Sequence, residues 1–185
     1  AYAADHTGYL VSVVNFELTV IDIPRLASNA NETLEWETNL ELMPKEVATP
    51  GATTIEALAE QLGIDEAATS KAMPVVTTEG KLVLGLVRGD DRLSESKLVG
   101  VLESDYRPAT DEEIRSAFGA DGGSLGPIGV DVEVVADDAL REGQYVAGAN
   151  RDGWHLLGVQ AGRDYTPRFA DIREAREGDR RPVCG

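Results

Sequence analysis

The sequence predicts a mixed α/β domain built largely from hairpins and short helices. Three observations carry that reading. Apolar strands come in pairs about short turns: residues 74–78 and 81–87 flank Glu79-Gly80, and residues 143–149 and 155–159 flank the turn at 150–153, which is a hairpin pattern. Two helix starts carry a capping box, Thr53 with Glu56 and Thr110 with Glu113. The helices do not alternate one for one with strands, as a parallel βαβ repeat would require.

Taken in order, residues 9–23 are rich in Val, Leu, Ile and Phe and read as one or two strands that stop before Pro24. Residues 29–32 form a turn, residues 34–42 alternate apolar and polar as a strand with one dry face, and residues 44–50 are a joint. After Thr53, the positions Ile55, Leu58, Ala59 and Leu62 make one helical stripe, which Gly63 ends. Asp65 caps a short helix through residues 69–72, so Lys71 is expected at a helix end just before a strand. A helix over residues 94–102 follows the hairpin, and the second capping box leads a helix through Ile114 and Phe118. Residues 119–129 are a Gly-rich loop and residues 130–135 a strand, with Asp137 just beyond it. Residues 171–185 are charged and expected to leave the domain. The organisation expected is therefore an N-terminal segment 1–46, a main domain 47–170 and an exit segment 171–185.

Composition excludes several classes. An apolar fraction of 42% supplies a core. No apolar run is long enough to span a membrane, and no basic start with an apolar stretch marks a secretory signal. The single Cys184 excludes an internal disulfide framework, and with only His6 and His155 beside it there is no zinc pattern, so no metal site is expected. The formal charge of -16 argues against a freestanding duplex binder, which needs a basic patch for phosphates. It leaves room for a domain that receives only an RNA end, since local charge at a cleft matters more than the sum.

Few residues could carry chemistry. In the loop Gly123-Ser124-Leu125-Gly126-Pro127 the glycines let backbone N–H groups converge on an anion or a developing oxyanion; an ordinary turn explains the same residues. It is not a phosphate loop, because no Gly-Lys-Ser or Gly-Lys-Thr follows. It is not a dinucleotide fingerprint, because it follows a helix and precedes a strand. Lys71 is one of four lysines and sits between small residues; it is a surface charge or a grip for a phosphate or terminal ribose. His155, opening an apolar run, is a packed strand residue, a hydrogen-bond partner for substrate or a proton carrier. Asp137, beside Asp138 just after a strand, reads as a turn former, and two adjacent carboxylates do not by themselves make an acid/base pair. No serine lies on a nucleophile elbow, and Cys184 sits in a charged tail.

Taken in order, these pieces resemble the editing domain inserted in bacterial-type prolyl-tRNA synthetase, of the aminoacyl-tRNA deacylase superfamily. The resemblance runs through Thr49-Pro50-Gly51-Ala52-Thr53-Thr54-Ile55, Lys71, Leu86-Val87-Arg88-Gly89-Asp90 with Glu95 and Lys97, the 123–127 loop, Ala147-Gly148-Ala149-Asn150 with Asp152, Gly153 and His155, and Asp171-Ile172-Arg173 with Gly178-Asp179. It covers residues 47–185. Departures are residues 9–20, Ser94 where relatives often have Asn, and Asp138 where they often have Arg.

The resemblance implies a mixed, mostly antiparallel sheet curved into a partial barrel, with flanking helices. It implies hydrolysis of the ester of alanyl-tRNA(Pro), as part of a proline--tRNA ligase in the cytoplasm. The alternatives are a freestanding deacylase of cysteinyl- or alanyl-tRNA(Pro) and a non-catalytic module that binds an RNA end or a protein. By resemblance the catalytic set is Lys71 with Gly123, Ser124, Leu125, Gly126 and Pro127; the substrate-binding set is Asp137, His155, Arg88 and Asn150. No cofactor is implied for editing. ATP and magnesium belong to the aminoacylation site of a parent synthetase, whose motifs are absent from these 185 residues. The implied partners are the acceptor end of mischarged tRNA(Pro) and the catalytic and anticodon-binding domains of that synthetase, with dimerisation a property of the full-length enzyme.

Overall fold

The computed structural model describes residues 43–176 in full, together with three strands before them. Those strands, β1 (Tyr2–Ala4), β2 (Leu10–Val14) and β3 (Glu17–Ile21), form an antiparallel sheet in the order β1-β2-β3 within a unit spanning Ala1–Met43. The one or two strands anticipated in residues 9–23 are two, β2 and β3. The strand expected at 34–42, the turn at 29–32 and the segment 177–185 with Cys184 lie outside the described residues.

The second unit, Pro44–Gly185, carries the candidate site residues. Its larger sheet has the order β11-β8-β6-β5-β7, with β5 at Ser70–Thr77, β6 at Leu82–Arg88, β7 at Tyr106–Pro108, β8 at Glu133–Asp137 and β11 at Arg168–Ala170. The β5–β6 and β5–β7 pairs are antiparallel, whereas β6–β8 and β8–β11 are parallel. A second, antiparallel sheet runs β4-β10-β9, from Lys45–Ala48, Trp154–Val159 and Tyr145–Gly148. The sheets meet where β5 begins: Thr69 bridges Val146, and the Ser70 hydroxyl donates to the Val146 carbonyl at 3.2 Å. The result is the mixed, mostly antiparallel architecture that the sequence implies.

The core explains the run of residues 82–88. Strand β6 is buried on both faces: Leu84 and Leu86 join Ile114, Phe118, Leu125 and Val134 on one side, and Val83 and Val87 join Val75, Leu98 and Ile172 on the other. Successive side chains of a strand point to opposite faces, so a doubly covered strand is apolar throughout.

Three short helices flank the sheets. Helix α1 (Ile55–Leu62) is capped by Thr54, whose hydroxyl accepts from the Ala57 N–H at 3.2 Å, and ends at Gly63 with φ 66. The cap expected at Thr53 is thus one residue later; Thr53 instead lines a cleft. Helix α2 (Glu95–Leu102) presents Leu98 to the core. Helix α3 (Asp111–Phe118) has the capping box anticipated at Thr110 and Glu113, and Arg107 grips the Glu113 carboxylate at 2.7 and 2.8 Å.

Two further boundaries differ from expectation. Asp65 caps only a 3-10 turn, Glu66–Ala68, and the chain then enters β5, so Lys71 is a strand residue and not a helix end. The cross-strand ladder from Ser70–Arg88 to Val76–Leu82 outweighs the local helix signal. Strand β8 starts at Glu133, three residues after the expected start. Its partner β6 begins at Leu82 and pairs in parallel from Val83 opposite Glu133, so residues 130–131 would extend past the start of β6.

Helix α1 offers a simple stability test. Leu58 is 2% exposed and packs with Ala52 and Val146. Leu58→Ala should cost about 2–5 kcal/mol by removing buried methyl groups and leaving a cavity. Urea unfolding measures this; a cost below about 1 kcal/mol would mean that the stripe does not anchor the helix.

Candidate functional site

A cleft of about 280 Å³ opens between α1, β5, the 119–129 loop and strands β9 and β10. Thr53, Thr54, Ile55, Glu56 and Leu58 form one wall, Ser70, Lys71 and Ala72 another, and Gly123, Leu125, Gly148 and His155 the rest. Lys71, Gly123, Leu125 and His155, far apart in sequence, thus come together. Asp137 and Arg88 do not.

The loop is held by the turn that follows β9. Asn150 adopts the left-handed conformation, φ 53, which Asn tolerates better than most residues. Its Oδ1 accepts from the Gly126 N–H at 2.8 Å, and its Nδ2 donates to the carbonyls of Gly126 and Ile128 at 3.1 and 2.9 Å. The Asn150 N–H donates to the Ser124 carbonyl at 2.9 Å, and the Ser124 hydroxyl accepts from the Gly153 N–H at 3.1 Å. Asp152 accepts from the Asp121 N–H at 2.7 Å. Asn150 and Ser124 therefore brace the loop, with their polar atoms turned to its backbone.

Not every loop N–H is free to meet a ligand. That of Gly126 is taken by Asn150, that of Ser124 reaches the Asp121 carbonyl at 3.4 Å, and Pro127 has none. Among the described residues, the N–H groups of Gly123 and Leu125 have no hydrogen-bond partner, and both residues line the cleft. Unpaired backbone donors at a concave surface are the groups that can meet an oxyanion.

Lys71 projects from β5, and its Nζ donates to the carbonyl of Asp91 at 3.1 Å. Among the described residues, only Lys45, Lys71 and Arg92 stand outside any ion pair of the lysines and arginines. Glu56, on another wall of the cleft, is held below the usual carboxylate range by its own backbone N–H, then by the Thr54 hydroxyl, with a smaller pull from Lys71.

His155 is 3% exposed, and its Nδ1 lies 2.6 Å from the hydroxyl of the fully buried Thr49. Burial pushes its pKa below the ordinary 6.5, against a smaller opposing pull from a hydrogen bond to the Gly123 backbone. The ring is thus neutral at pH 7, and which of Nδ1 and the Thr49 hydroxyl donates is set by the tautomer. His155 ties strand β10 to both the loop and the β4–α1 joint.

Two assignments need correction. Asp137, expected as a pocket residue, is 1% exposed and wholly engaged in structure. Its Oδ2 accepts from the N–H groups of Ile172 and Arg173 at 2.9 and 3.0 Å, and its Oδ1 from that of Ala139 at 2.9 Å. It closes the β8 end and pins the chain at 172–173, so residues 171–174, expected to leave the domain, are packed on it. Ile172 is fully buried. Arg88, also expected to bind substrate, is forked onto Asp90 at 2.6 and 3.1 Å outside the cleft. Thr49, Glu56, Gly148 and Asp91 belong to the site but were not singled out. Thr49 and Gly148 lie within quoted motifs, yet their partners are remote and no local pattern reveals them. Among the described residues, no group of three or more His, Cys, Asp or Glu side chains could hold a metal ion, and no helix is long and apolar enough to cross a membrane.

The His155 contacts make pH a probe of the loop. With the folded-state pKa depressed, the stability tied to the neutral ring is present above the unfolded value near 6.5 and is lost as pH falls toward the folded value. Unfolding measured between pH 7 and 5 should show declining stability, and NMR should titrate the His155 imidazole below 6.5. A value above 6.5 would mean that the ring is not held neutral.

A family model for the aminoacyl-tRNA editing domain matches residues 49–165. The proline--tRNA ligases of Streptococcus gordonii and Streptococcus uberis are each 42% identical, over 140 and 142 residues, covering 74% and 75% of this chain. The chain spans only 23% of the length of those curated relatives. Among solved structures, a hypothetical protein superposes with a TM-score of 0.63 at 21% identity, covering 77% of this chain and 99% of that one. A proposed trans-editing enzyme for prolyl tRNA synthetase gives 0.60 at 22%, covering 79% and 95%. These two likenesses concern the fold. The family match spans the cleft from Thr49 to Tyr165 and contains the Lys71 wall, the loop and the His155 strand, so the chain belongs to the aminoacyl-tRNA editing domain family, whose members are aminoacyl-tRNA ester hydrolases.

Proposed function

We propose that this domain hydrolyses the ester linking a small, wrongly attached amino acid, alanine above all, to the acceptor end of tRNA(Pro). The observation that carries the reading is the meeting of Lys71 with the unpartnered N–H groups of Gly123 and Leu125 in one small cleft. Lys71 holds the terminal ribose or its phosphate as a point charge. The loop N–H groups receive the oxyanion that forms as water adds to the ester carbonyl. The carbon–oxygen bond to the ribose then breaks, and the ribose oxygen takes the proton given up by the water. An aminoacyl ester is already activated, so an oriented water and a neighbouring ribose hydroxyl of the substrate suffice without a protein nucleophile. His155, buried at the wall beside Gly123, shapes the part of the cleft that receives the side chain. Overlap with the proline ring then spares correctly charged tRNA.

Two contexts fit this chemistry. The 42% identity to proline--tRNA ligases supports action within a synthetase, whose other domains hold the tRNA body. The solved chains covered over 95% and 99% of their own length are of domain size, and they favour a unit that works unattached, in trans. On either reading the editing unit is residues 47–170 together with the packed segment 171–176, and the partner is the end of a tRNA, in the compartment where tRNA is charged. A non-catalytic RNA-end module is disfavoured, because Lys71 faces the same cleft as the loop.

Deacylation of alanyl-, cysteinyl- and prolyl-tRNA(Pro) tests the reading. Alanyl-tRNA should be the fastest substrate and prolyl-tRNA the slowest, with activity persisting in strong chelator. Lys71→Ala should lower kcat/KM roughly 100-fold, about 2.7 kcal/mol of transition-state stabilisation, at unchanged Tm. A folded Lys71→Ala domain as active as the parent would remove Lys71 from the mechanism.

A further inference from the structure

We infer that Asp91 and Arg176 form a positioning pair for Lys71, through which the segment 171–176 sets where that lysine points. The inference rests on the reading of Lys71 as the cleft's working cation. Among the described residues, the one hydrogen bond of the Lys71 ammonium is to the Asp91 carbonyl, at 3.1 Å. That carbonyl belongs to the turn after β6, so whatever fixes the turn fixes the lysine.

The turn is held at both ends. On the β6 side the Gly89 N–H donates to the Thr69 carbonyl at 2.9 Å, and a Cβ at Gly89 would overlap the Thr69 hydroxyl. On the far side the Asp91 carboxylate, 3% exposed, meets Arg176 Nε at 2.6 Å, with Arg88 and Arg173 at 3.6 and 3.9 Å. The same guanidinium reaches Asp90 at 2.8 Å. A carboxylate this buried is tolerated only while its cationic partners stay in place, since loss of one leaves a desolvated charge. Among the described residues the Asp91 Oδ2 has no hydrogen bond, so the grip on Oδ1 carries the orientation.

Arg176 is in turn delivered by an anchored segment. Asp137 accepts from the N–H groups of Ile172 and Arg173. The Ser94 N–H donates to the Ile172 carbonyl and the Glu174 N–H to the Arg92 carbonyl, each at 2.8 Å. The segment thus lies along the turn and the start of α2, and its arginine reaches back to the residue that holds Lys71. This also gives Asp137 a purpose as the anchor of that segment.

The test compares Arg176→Ala and Arg176→Lys with Lys97→Ala. The last breaks the bonds from Lys97 to Asp171 and the Arg173 carbonyl in the same segment without touching Asp91. Each variant is checked for parental Tm, then assayed for kcat and KM on alanyl-tRNA(Pro), and the 15N signal of the Lys71 ammonium is recorded. Arg176→Ala should lower kcat roughly tenfold with KM within about twofold and should shift the Lys71 signal. Arg176→Lys should recover part of both, and Lys97→Ala should stay within about twofold of the parent. An unmoved Lys71 signal in Arg176→Ala, or equal effects of Arg176→Ala and Lys97→Ala, would overturn the inference. A parent that does not deacylate, with a Lys71 signal that still moves, would sink the editing reading and leave the positioning pair standing.

Discussion

The site depends on two backbones touching. A Cβ on Gly126 would overlap the carbonyl of Gly148, and a Cβ on Gly148 would overlap the backbone of Ser124 and Leu125. No side chain fits at either position, so the loop can lie against the end of β9 only because both residues are glycine. That approach puts Asn150 within reach of Gly126 and Ile128, Ser124 within reach of Gly153, and His155 beside Gly123. Each of these bonds would be lost if the loop stood off by the width of one methyl group. The close approach is also what turns Leu125 and Gly123 into cleft residues while spending the N–H of Gly126 elsewhere. Without it the segment is an ordinary Gly-rich turn.

Charge is arranged around the same point. The chain carries a formal charge of -16, and most of its described cations are neutralised by carboxylates on the surface. Exposed pairs such as Lys97–Asp171 and Arg115–Asp121 add little stability, but they do cancel attraction for RNA. A cation left outside such pairs keeps its attraction. Lys71 is one, with a carbonyl to orient it and no carboxylate within salt-bridge distance. An acidic surface and a single oriented cation in a small cleft together disfavour capture of a duplex and favour admission of one terminus.

Much of this was legible in the sequence, and the part that was not has a common cause. Periodicity and capping chemistry located the β5–β6 and β9–β10 hairpins, α3 with its box, and the Gly-rich loop, because those signals lie within a few residues of each other. The start of β5 was misjudged because Asp65 and the residues after it favour a helix locally, and only the ladder to β6 decides otherwise. Asp137 and Arg88 illustrate the limit for function. An acidic residue at a strand end and an arginine before Gly-Asp look the same whether they face a ligand or the protein's own N–H groups and carboxylates. Nothing near Asp137 announces that its partners are at 172 and 173. Thr49 and His155, 106 residues apart, are a further case.

The chemistry proposed for the cleft follows from what its walls supply. Leu125 and Gly123 offer N–H groups and Lys71 a charge, while the hydroxyls of Thr54 and Ser70 on the walls are engaged by Ala57 and Val146. Ser124 is buried and its hydroxyl accepts from the Gly153 N–H, and His155 is buried with its Nδ1 engaged by Thr49, so neither is placed as a free nucleophile or base. What remains can bind, orient and stabilise charge, and it cannot easily form a covalent intermediate. Such a site suits a substrate that brings its own reactivity. An aminoacyl ester on a ribose does so, with an activated carbonyl and a hydroxyl beside it. Orientation and stabilisation of the developing charge are then the protein's contribution, and small displacements of Lys71 or the loop matter more than the acidity of any one group. In such a site the residues that hold others, Asn150, Thr49, His155 and the Asp91–Arg176 pair, carry as much of the function as those that line the cleft.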